Sequence, residues 1–421
     1  MFWALFFIFA TKHSKISMIK YVTAGESHGK GLTTIVSGFP ANLPVSSVFI
    51  NEQLKRRQAG YGRGMRMKIE SDSAEILSGI RFGKTIGSPI SLFIKNTDWQ
   101  NWTEIMSIEG SGASIAKITV PRPGHADLVG AQKYNFNDIR NSIDRSSARE
   151  TAARVAACSI ARKFLFEFGI HVGSYVESIG GVYSKNNFVK KFINDKNSRN
   201  YDAQKLNNIA DKSSVRVLDE VQEQKIINKI KTAKKRGDTL GGTFVVIATG
   251  VPVGLGTYMN NDERMDAEIA HAMLSIQAVK GVEVGLGFEQ AEMFGSEVHD
   301  EIVFDGKEFT RKTNRAGGVE GGITTGLPIV VRGAMKPIST LMSPLDSVDL
   351  STLKKVEARR ERSDFVAVPA CAVIGESMLA WVLAKKFLEK FGGDSLEETK
   401  DNYNNYHKQL LKRIKKNFFR K

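Results

Sequence analysis

The run Asp144-Arg145-Ser146-Ser147-Ala148-Arg149-Glu150-Thr151-Ala152-Ala153-Arg154-Val155-Ala156 lies within the strongest helical signal of the chain. Ala148, Ala152, Val155, Ala156, Ser159 and Ile160 recur at spacings of three and four. The pattern places the clearest helix of the chain within residues 138–168, with Gly169 to cap its end. A stripe this rich in alanine lets a sheet or a second helix approach closely.

Outward from this helix, strand and helix signals alternate. Ile19 to Val22, Leu32 to Val36 and Ser91 to Lys95 read as strands. Ser46 or Ser47 caps a helix reaching Gln58. Ile170 to Ile179, Thr243 to Ala248 and Pro328 to Val331 read as further strands. Asp219 starts a helix with Val221, Ile226 and Ile230 inward, closed by Gly237. Met265, Ile269, Met273 and Ile276 form a stripe ended by Gly281, and Ala370 to Phe391 is a final core helix. Residues 183–215 are polar and poorly periodic and read as a surface insertion. This alternation suits a doubly wound sheet or an α+β sandwich equally well.

At 421 residues, 42% apolar and 25% charged, the chain buries a sizeable core. Two distant cysteines, Cys158 and Cys371, make no disulfide framework and point to a reducing, cytoplasmic setting. The net charge of +15 calls for an anionic partner: nucleic acid, a membrane surface or an acidic small molecule. Part of the excess sits in a basic tail from 393 to 421, read as solvated, though Leu410, Leu411, Ile414 and Phe418 keep helical spacing. The apolar run Met1 to Ala10 is shorter than the roughly 20 residues that span a bilayer. Residues 1–17 therefore read as an upstream extension outside the fold.

Two motifs are decoys. Gly79 to Thr85 is one residue short of a nucleotide-binding P-loop. Gly25-Glu26-Ser27-His28-Gly29 matches G-x-S-x-G, but a strand-like run follows where a nucleophile elbow needs a helix. No zinc spacing occurs, so no metal site is expected. Of seven histidines, His28 and His125 stand apart. Each lies in a tight polar loop, where an imidazole near neutrality can move protons. Arg56, Arg57, Arg63, Arg66, Arg122, Arg140, Arg145, Arg149, Arg359, Arg360 and Arg362 mostly lie among Gly, Ser and Pro. That setting favours forked recognition of carboxylate and phosphate on a compact ligand over nucleic-acid contact.

In order along the chain stand the Gly25–Gly29 box, Arg56-Arg57-Gln58 with Gly60-Tyr61-Gly62-Arg63-Gly64, Arg122-Pro123-Gly124-His125-Ala126-Asp127, and the Asp144–Ala156 run. Then come 237–242, 275–283, 316–322, Lys336-Pro337-Ile338-Ser339-Thr340 and Glu361-Arg362-Ser363-Asp364. Together, from about Met18 to Phe391, they resemble the chorismate synthase family. The resemblance implies an α+β fold, a β-α-β sandwich with a pseudo-repeated core, as one domain over 18–392 in a homotetramer. It implies anti-1,4-elimination of phosphate from 5-enolpyruvylshikimate 3-phosphate, the last step of the shikimate pathway, with reduced FMN and no net redox change.

By the same resemblance, His28 protonates the departing phosphate, His125 protonates the reduced flavin, and Asp364 helps flavin N5 act as base. Ser27, Arg57 and Arg63 match substrate or NADP positions. Arg145, Ser146, Ser147, Gln277, Ala278, Gly321, Lys336, Pro337, Ile338, Ser339, Thr340 and Arg362 match flavin positions. Gln277, Arg315 and Ser363 depart from the usual residues. The expected partner is a small molecule, with neither nucleic acid nor membrane. Reduction of the flavin by NADPH or by an external flavin reductase stays open.

Overall fold

A computed structural model describes residues 19–64, 71–194, 201–360 and 364–418, with side chains of the last helix through Arg413. Strands β1 (Lys20–Ala24), β2 (Gly31–Ser37), β3 (Ala74–Ile76) and β4 (Ile90–Lys95) form one sheet, ordered β1-β2-β4-β3. Strands β5 (His171–Ile179), β6 (Val182–Tyr183), β7 (Gly242–Thr249), β8 (Val279–Val284) and β9 (Ile329–Met335) form a second, ordered β8-β9-β7-β5-β6. Every neighbouring pair is antiparallel. The doubly wound alternative, which needs parallel strands, is thereby excluded, and the fold is α+β.

Helices α1 (Ser47–Gln58), α2 (Asp127–Tyr134), α3 (Arg140–Ser146) and α4 (Thr151–Phe166) precede the second sheet. Then follow α5 (Phe188–Asn194), α6 (Ala203–Ala210), α7 (Glu220–Arg236), α8 (Met265–Leu274), α9 (Val368–Phe391) and α10 (Leu396–Phe418). The alanine stripe does what its small side chains allow. Ala152, Ala153, Ala156, Ala157 and Ala161 are all fully buried, and α4 packs on α9, α1 and the first sheet. Helix α9 in turn lies on β5 and β7 of the second sheet. By length and composition α9 could cross a membrane, but 94% of its apolar window is inside the protein, so it is a core helix.

Several sequence expectations change. The range 138–168 contains the expected long helix as α4, and a second, separate helix, α3, before it. Ser147 is extended (φ −61°, ψ 141°), and its hydroxyl accepts from Arg149 N at 3.3 Å, capping a fresh start. Helix α8 stops at Leu274, and Gly281 lies inside β8, because Ala278 turns left-handed at φ 68°. Asp219 and Gly237 cap α7 as expected. Val221 faces solvent, however, and Gln222 is buried in its place, donating to the carbonyl of Glu177 at 2.7 Å. The stretch 183–215 contains α5 and α6, whose Ile193, Leu206 and Ala210 cover the other face of the second sheet with Tyr175, Val245 and Ile247. The tail stays helical through α10, where Tyr403 packs on Phe387 and Phe391.

The core also holds a charge cluster. Glu376 of α9 is fully buried and accepts from Arg56 Nη1 and Nη2 at 2.8 and 2.9 Å, with Arg162, Arg216 and Ser174 also donating. Burial pushes this carboxyl up, but the surrounding guanidinium groups outweigh it and hold the group far below the usual range. Removing it leaves buried cations uncompensated. Glu376→Ala is expected to lower the unfolding free energy by about 3–5 kcal/mol. Val221→Ala should change it by less than about 0.5 kcal/mol. Urea unfolding of both variants checks this, and equal losses would contradict it.

Candidate active site

Ser27 and His28 occupy the turn from β1 to β2. Gly25 makes that turn possible: its φ is 107°, and a Cβ there would stand 2.3 Å from Gly31 O. Asp144 of α3 reaches into the turn. One oxygen, Oδ1, accepts from Ser27 Oγ at 2.6 Å, from the His28 backbone N–H at 3.2 Å, and sits 2.5 Å from His28 Nδ1. The His28 ring stacks on Trp102 with centroids 3.8 Å apart. Arg140 covers Trp102 at 5.1 Å.

The turn is fixed from beneath by Asn96, just after β4. Its amide donates to the carbonyls of Glu26 and Gly29 at 3.1 and 2.7 Å. Arg149 Nε donates to Asn96 Oδ1 at 2.9 Å, and the same guanidinium donates to Asp72. The second oxygen of Asp72 accepts from Arg57 Nη2 at 2.6 Å, while Arg57 Nη1 donates to Thr151 Oγ1 at 3.1 Å. A continuous set of hydrogen bonds thus runs from Arg57 to the loop of His28. Arg57 is 4% exposed, and its buried Nε has no hydrogen-bond partner.

His125 lies just before α2. Its Nδ1 is 2.5 Å from Asp127 Oδ1, and Asp127 Oδ2 accepts from Arg122 Nε at 2.9 Å. Arg122 Nη1 continues to Thr340 Oγ1 at 3.0 Å. Lys336 Nζ donates to Gly124 O at 2.5 Å, so the 336–340 loop after β9 lies on the histidine loop. Ile338 O accepts from Thr239 Oγ1 at 2.7 Å, and Leu240 N donates to Phe365 O at 2.9 Å. Next to Phe365, Asp364 accepts from Gly64 N at 2.5 Å and pairs with Arg63 Nε at 3.1 Å. A second network thus joins His125, the 336–340 loop, Asp364 and Arg63.

Two contacts relate these networks. Gly130 of α2 meets Ser142 of α3 so closely that a Cβ would stand 2.3 Å from Ser142 Oγ. Asp127 begins α2 and Asp144 lies on α3, so this packing sets one histidine loop against the other. Arg63 and Arg149 also both act electrostatically on Arg57. Burial lowers the Arg57 guanidinium most; Asp72 opposes that, and the two neighbouring arginines lower it further.

Arg145 donates to the carbonyls of Thr23 and Gly25 at 3.0 and 3.4 Å, and Ser146 Oγ donates to Ser142 O at 2.5 Å. Ser147 forms the helix break. Gln277 Nε2 donates to Glu150 at 3.2 Å, while its buried Oε1 finds no donor. Arg145 and Gln277 share a cavity of about 630 Å³ with Tyr21, Thr23, Glu150 and Lys385. Ala278 O accepts from Lys336 N at 2.9 Å. Pro337 and Ser339 lie over Gly241 and Gly124. Gly321 stands elsewhere, at the tip of a hairpin whose next residue, Gly322, approaches Arg264, which precedes α8, whereas Gln277 follows the end of that helix. A ten-residue helix is roughly 15 Å long, so Gly321 is not joined to the others by direct contact. Arg362, Ser363 and Arg66 fall outside the described residues. Among the described residues no cluster of His, Cys, Asp or Glu could hold a metal ion.

The decoys resolve in physical terms. Gly79 to Thr85 forms a hairpin, with Phe82 and Gly83 at φ 50° and 74°, and no helix N-terminus follows it. Sequence reasoning missed Asp72, Asn96, Trp102, Asp127 and Asp144 as members of the site. Asp127 and Asp144 sit inside motifs already singled out, so their carboxylates were available as a signal. Asp72, Asn96 and Trp102 lie in stretches without any motif.

Two histidines each lie against a buried carboxylate with arginines beside them, an arrangement chemically able to move protons next to an anionic ligand. The chain belongs to the chorismate synthase family: the family model described as chorismate synthase matches residues 19–388. Among curated relatives, the chorismate synthase of Aquifex aeolicus (strain VF5) is 54% identical over 92% of this chain and 97% of its own length. That of Chloroherpeton thalassium (strain ATCC 35110 / GB-78) is 55% identical over 92% and 99%. A solved structure titled "Crystal Structure of Chorismate Synthase" superposes with a TM-score of 0.75 at 44% identity, covering 94% of this chain and 98% of that one.

Asp72, Asp127 and Asp144 share one electrostatic pattern. Burial raises each carboxyl, but hydrogen bonds and charge from Arg57 and Arg149, from His125 and Arg122, and from His28, Ser27 and Arg140 hold all three below the ordinary value. A depressed folded pKa gives stability that is complete above the unfolded value of about 3.9 and lost as pH falls through the folded one. Asp72→Asn is therefore expected to be less stable than the parent protein at pH 7, with the gap narrowing at pH 3. Urea unfolding at both pH values measures it, and a pH-independent gap would refute the pairing argument.

Proposed function

We propose that this chain catalyses the anti-1,4-elimination of phosphate from 5-enolpyruvylshikimate 3-phosphate, giving chorismate (EC 4.2.3.5). The observation that carries this reading is membership of the chorismate synthase family over residues 19–388, with both histidine loops inside the match. The same family reading supplies the remaining parts of the proposal: reduced FMN, a homotetramer, a cytoplasmic location, and one catalytic domain over 18–392 with a tail at 393–421.

The substrate carries two carboxylates and a phosphate. Burying them needs paired cations, since an unpaired buried charge costs several kcal/mol. Arg57, with Nε unpartnered, and Arg63 bind this charge beside Ser27. His28 donates a proton to the leaving phosphate. Asp364, anchored by Gly64 and Arg63, would help flavin N5 act as the base for the C6 proton.

The residues present fit reduced FMN. Gln277 offers an acceptor oxygen without a donor, and Lys336 and Arg145 offer cations. Arg145, Ser146, Ser147, Gln277, Ala278, Lys336 to Thr340 and Arg362 would hold it, with Gly321 contributing from its separate hairpin. When bound, reduced flavin supplies electron density to the breaking C–O bond and recovers it, so no net redox change results. His125 places a proton on that group, and Asp127 and Arg122 hold His125 in place.

An anaerobic assay with chemically reduced FMN, following phosphate release and chorismate absorbance, tests the proposal. Many turnovers per flavin are expected. Consumption of one reduced flavin per product would instead mark a flavin oxidoreductase. His125→Ala should lower kcat by about 10²–10⁴. Asp364→Asn should slow turnover while leaving FMN affinity in place, and unchanged turnover in either variant would remove that residue from the mechanism.

A further inference from the structure

The geometry of Asp144 is more determined than a structural carboxylate needs. Its side chain is fully buried at the junction of α3 and the β1–β2 turn. Oδ1 alone gathers Ser27 Oγ at 2.6 Å, His28 N at 3.2 Å and His28 Nδ1 at 2.5 Å. Its backbone carbonyl accepts from Ser27 N at 3.1 Å. Oδ2 is buried without a hydrogen bond, and Arg140 Nη1 lies 3.8 Å from it. The imidazole plane is set separately, by Trp102 stacked on it at 3.8 Å and 30°.

A neutral imidazole carries one proton on one of two nitrogens, and the partner of the first nitrogen decides the state of the second. A carboxylate can only accept, so Asp144 selects the form protonated at Nδ1. The other nitrogen, Nε2, then becomes the working atom, which carries the proton that leaves with phosphate and is deprotonated afterwards. Trp102 removes the remaining freedom of ring rotation. The Ser27 hydroxyl gives its proton to the same carboxylate and lies 3.1 Å from His28 Nδ1, where its oxygen can then only accept, so both neighbours of that nitrogen favour a proton on it.

We propose that Asp144 is a positioning residue for the elimination: it fixes the tautomer and ring orientation of His28 so that Nε2 faces the leaving phosphate, with Trp102 clamping the ring plane. This rests on the role given to His28 above. Asp127 repeats the arrangement at His125, but Arg122 Nη2 lies 3.1 Å from the same ring nitrogen, so replacing Asp127 would also strand a guanidinium group. Asp144 is the cleaner case.

The test uses the full chain labelled with 15N-histidine. The His28 signals are identified by their loss in His28→Ala, among seven histidines. At a pH where the ring is neutral, the parent protein is expected to show Nδ1 protonated and Nε2 bare. The opposite tautomer, or a mixture near equality, overturns the proposal, and this readout needs no variant of Asp144 to fold. Asp144→Asn can donate as well as accept, so it should shift His28 toward Nε2–H. It should also lower kcat by about 10²–10⁴ with KM changed less than about threefold. Asp144→Glu should recover part of the lost kcat. A kcat loss with the tautomer unchanged would make Asp144 merely structural and also overturn the proposal. If His28→Ala itself keeps full turnover, the role of His28 fails, while the tautomer measurement still decides what Asp144 does.

Discussion

Asp72 is the constraint on which the rest depends. It is buried between two guanidinium groups, accepting from Arg57 on one oxygen and from Arg149 on the other. Neither arginine could sit in the interior without it, because an uncompensated charge there costs several kcal/mol. Through Arg149 and Asn96 the same carboxylate fixes the turn that carries His28. Through Arg57 it sets the end of α1, from which the chain runs on to Arg63 and its partner Asp364. One buried acid thus holds together groups that lie far apart in sequence.

The fold supplies this acid with a rigid frame. Helix α4, packed by its alanines between α9 and the first sheet, carries Thr151, which meets Arg57, and follows directly from Arg149. The break at Ser147 turns α3 away from α4. That turn lets α3 present Asp144 to the His28 loop while α4 stays in the core. A continuous helix would force both tasks onto one axis. The second network, from His125 through Thr340 to Asp364, hangs on the end of the second sheet, where β8 and β9 leave Ala278 and Lys336 hydrogen-bonded side by side. The two frames meet where Gly130 of α2 packs on Ser142 of α3.

Much of this was legible in the sequence. Strands with clear alternation and helices with strong caps, such as α1 behind Ser46 and α7 between Asp219 and Gly237, fell where local rules put them. Three kinds of feature did not. The Ser147 break is a side-chain cap inside an unbroken apolar period, and periodicity is blind to it. Gln222 replaced Val221 in the interior because carbonyls of β5 and β6 needed a donor, and hydrophobic pattern carries no such demand. Residues 183–215 looked like loose surface because their few apolar side chains, Ile193 and Leu206 among them, serve a sheet face formed by distant strands. In the site, the histidines and arginines were legible because their loops are unusual. Asp72, Asn96 and Trp102 were not, because their importance arises only from where the fold places them.

In the proposed reaction both histidine loops, Arg57 and Asp364 face one ligand-filled space. A crystal structure with oxidised FMN and 5-enolpyruvylshikimate 3-phosphate addresses it most directly. The account predicts substrate phosphate against His28 and the arginines, with the flavin ring between His125, Asp364 and the Lys336–Thr340 loop. Ligand density elsewhere, or His28 and His125 opening onto separate cavities, would contradict it.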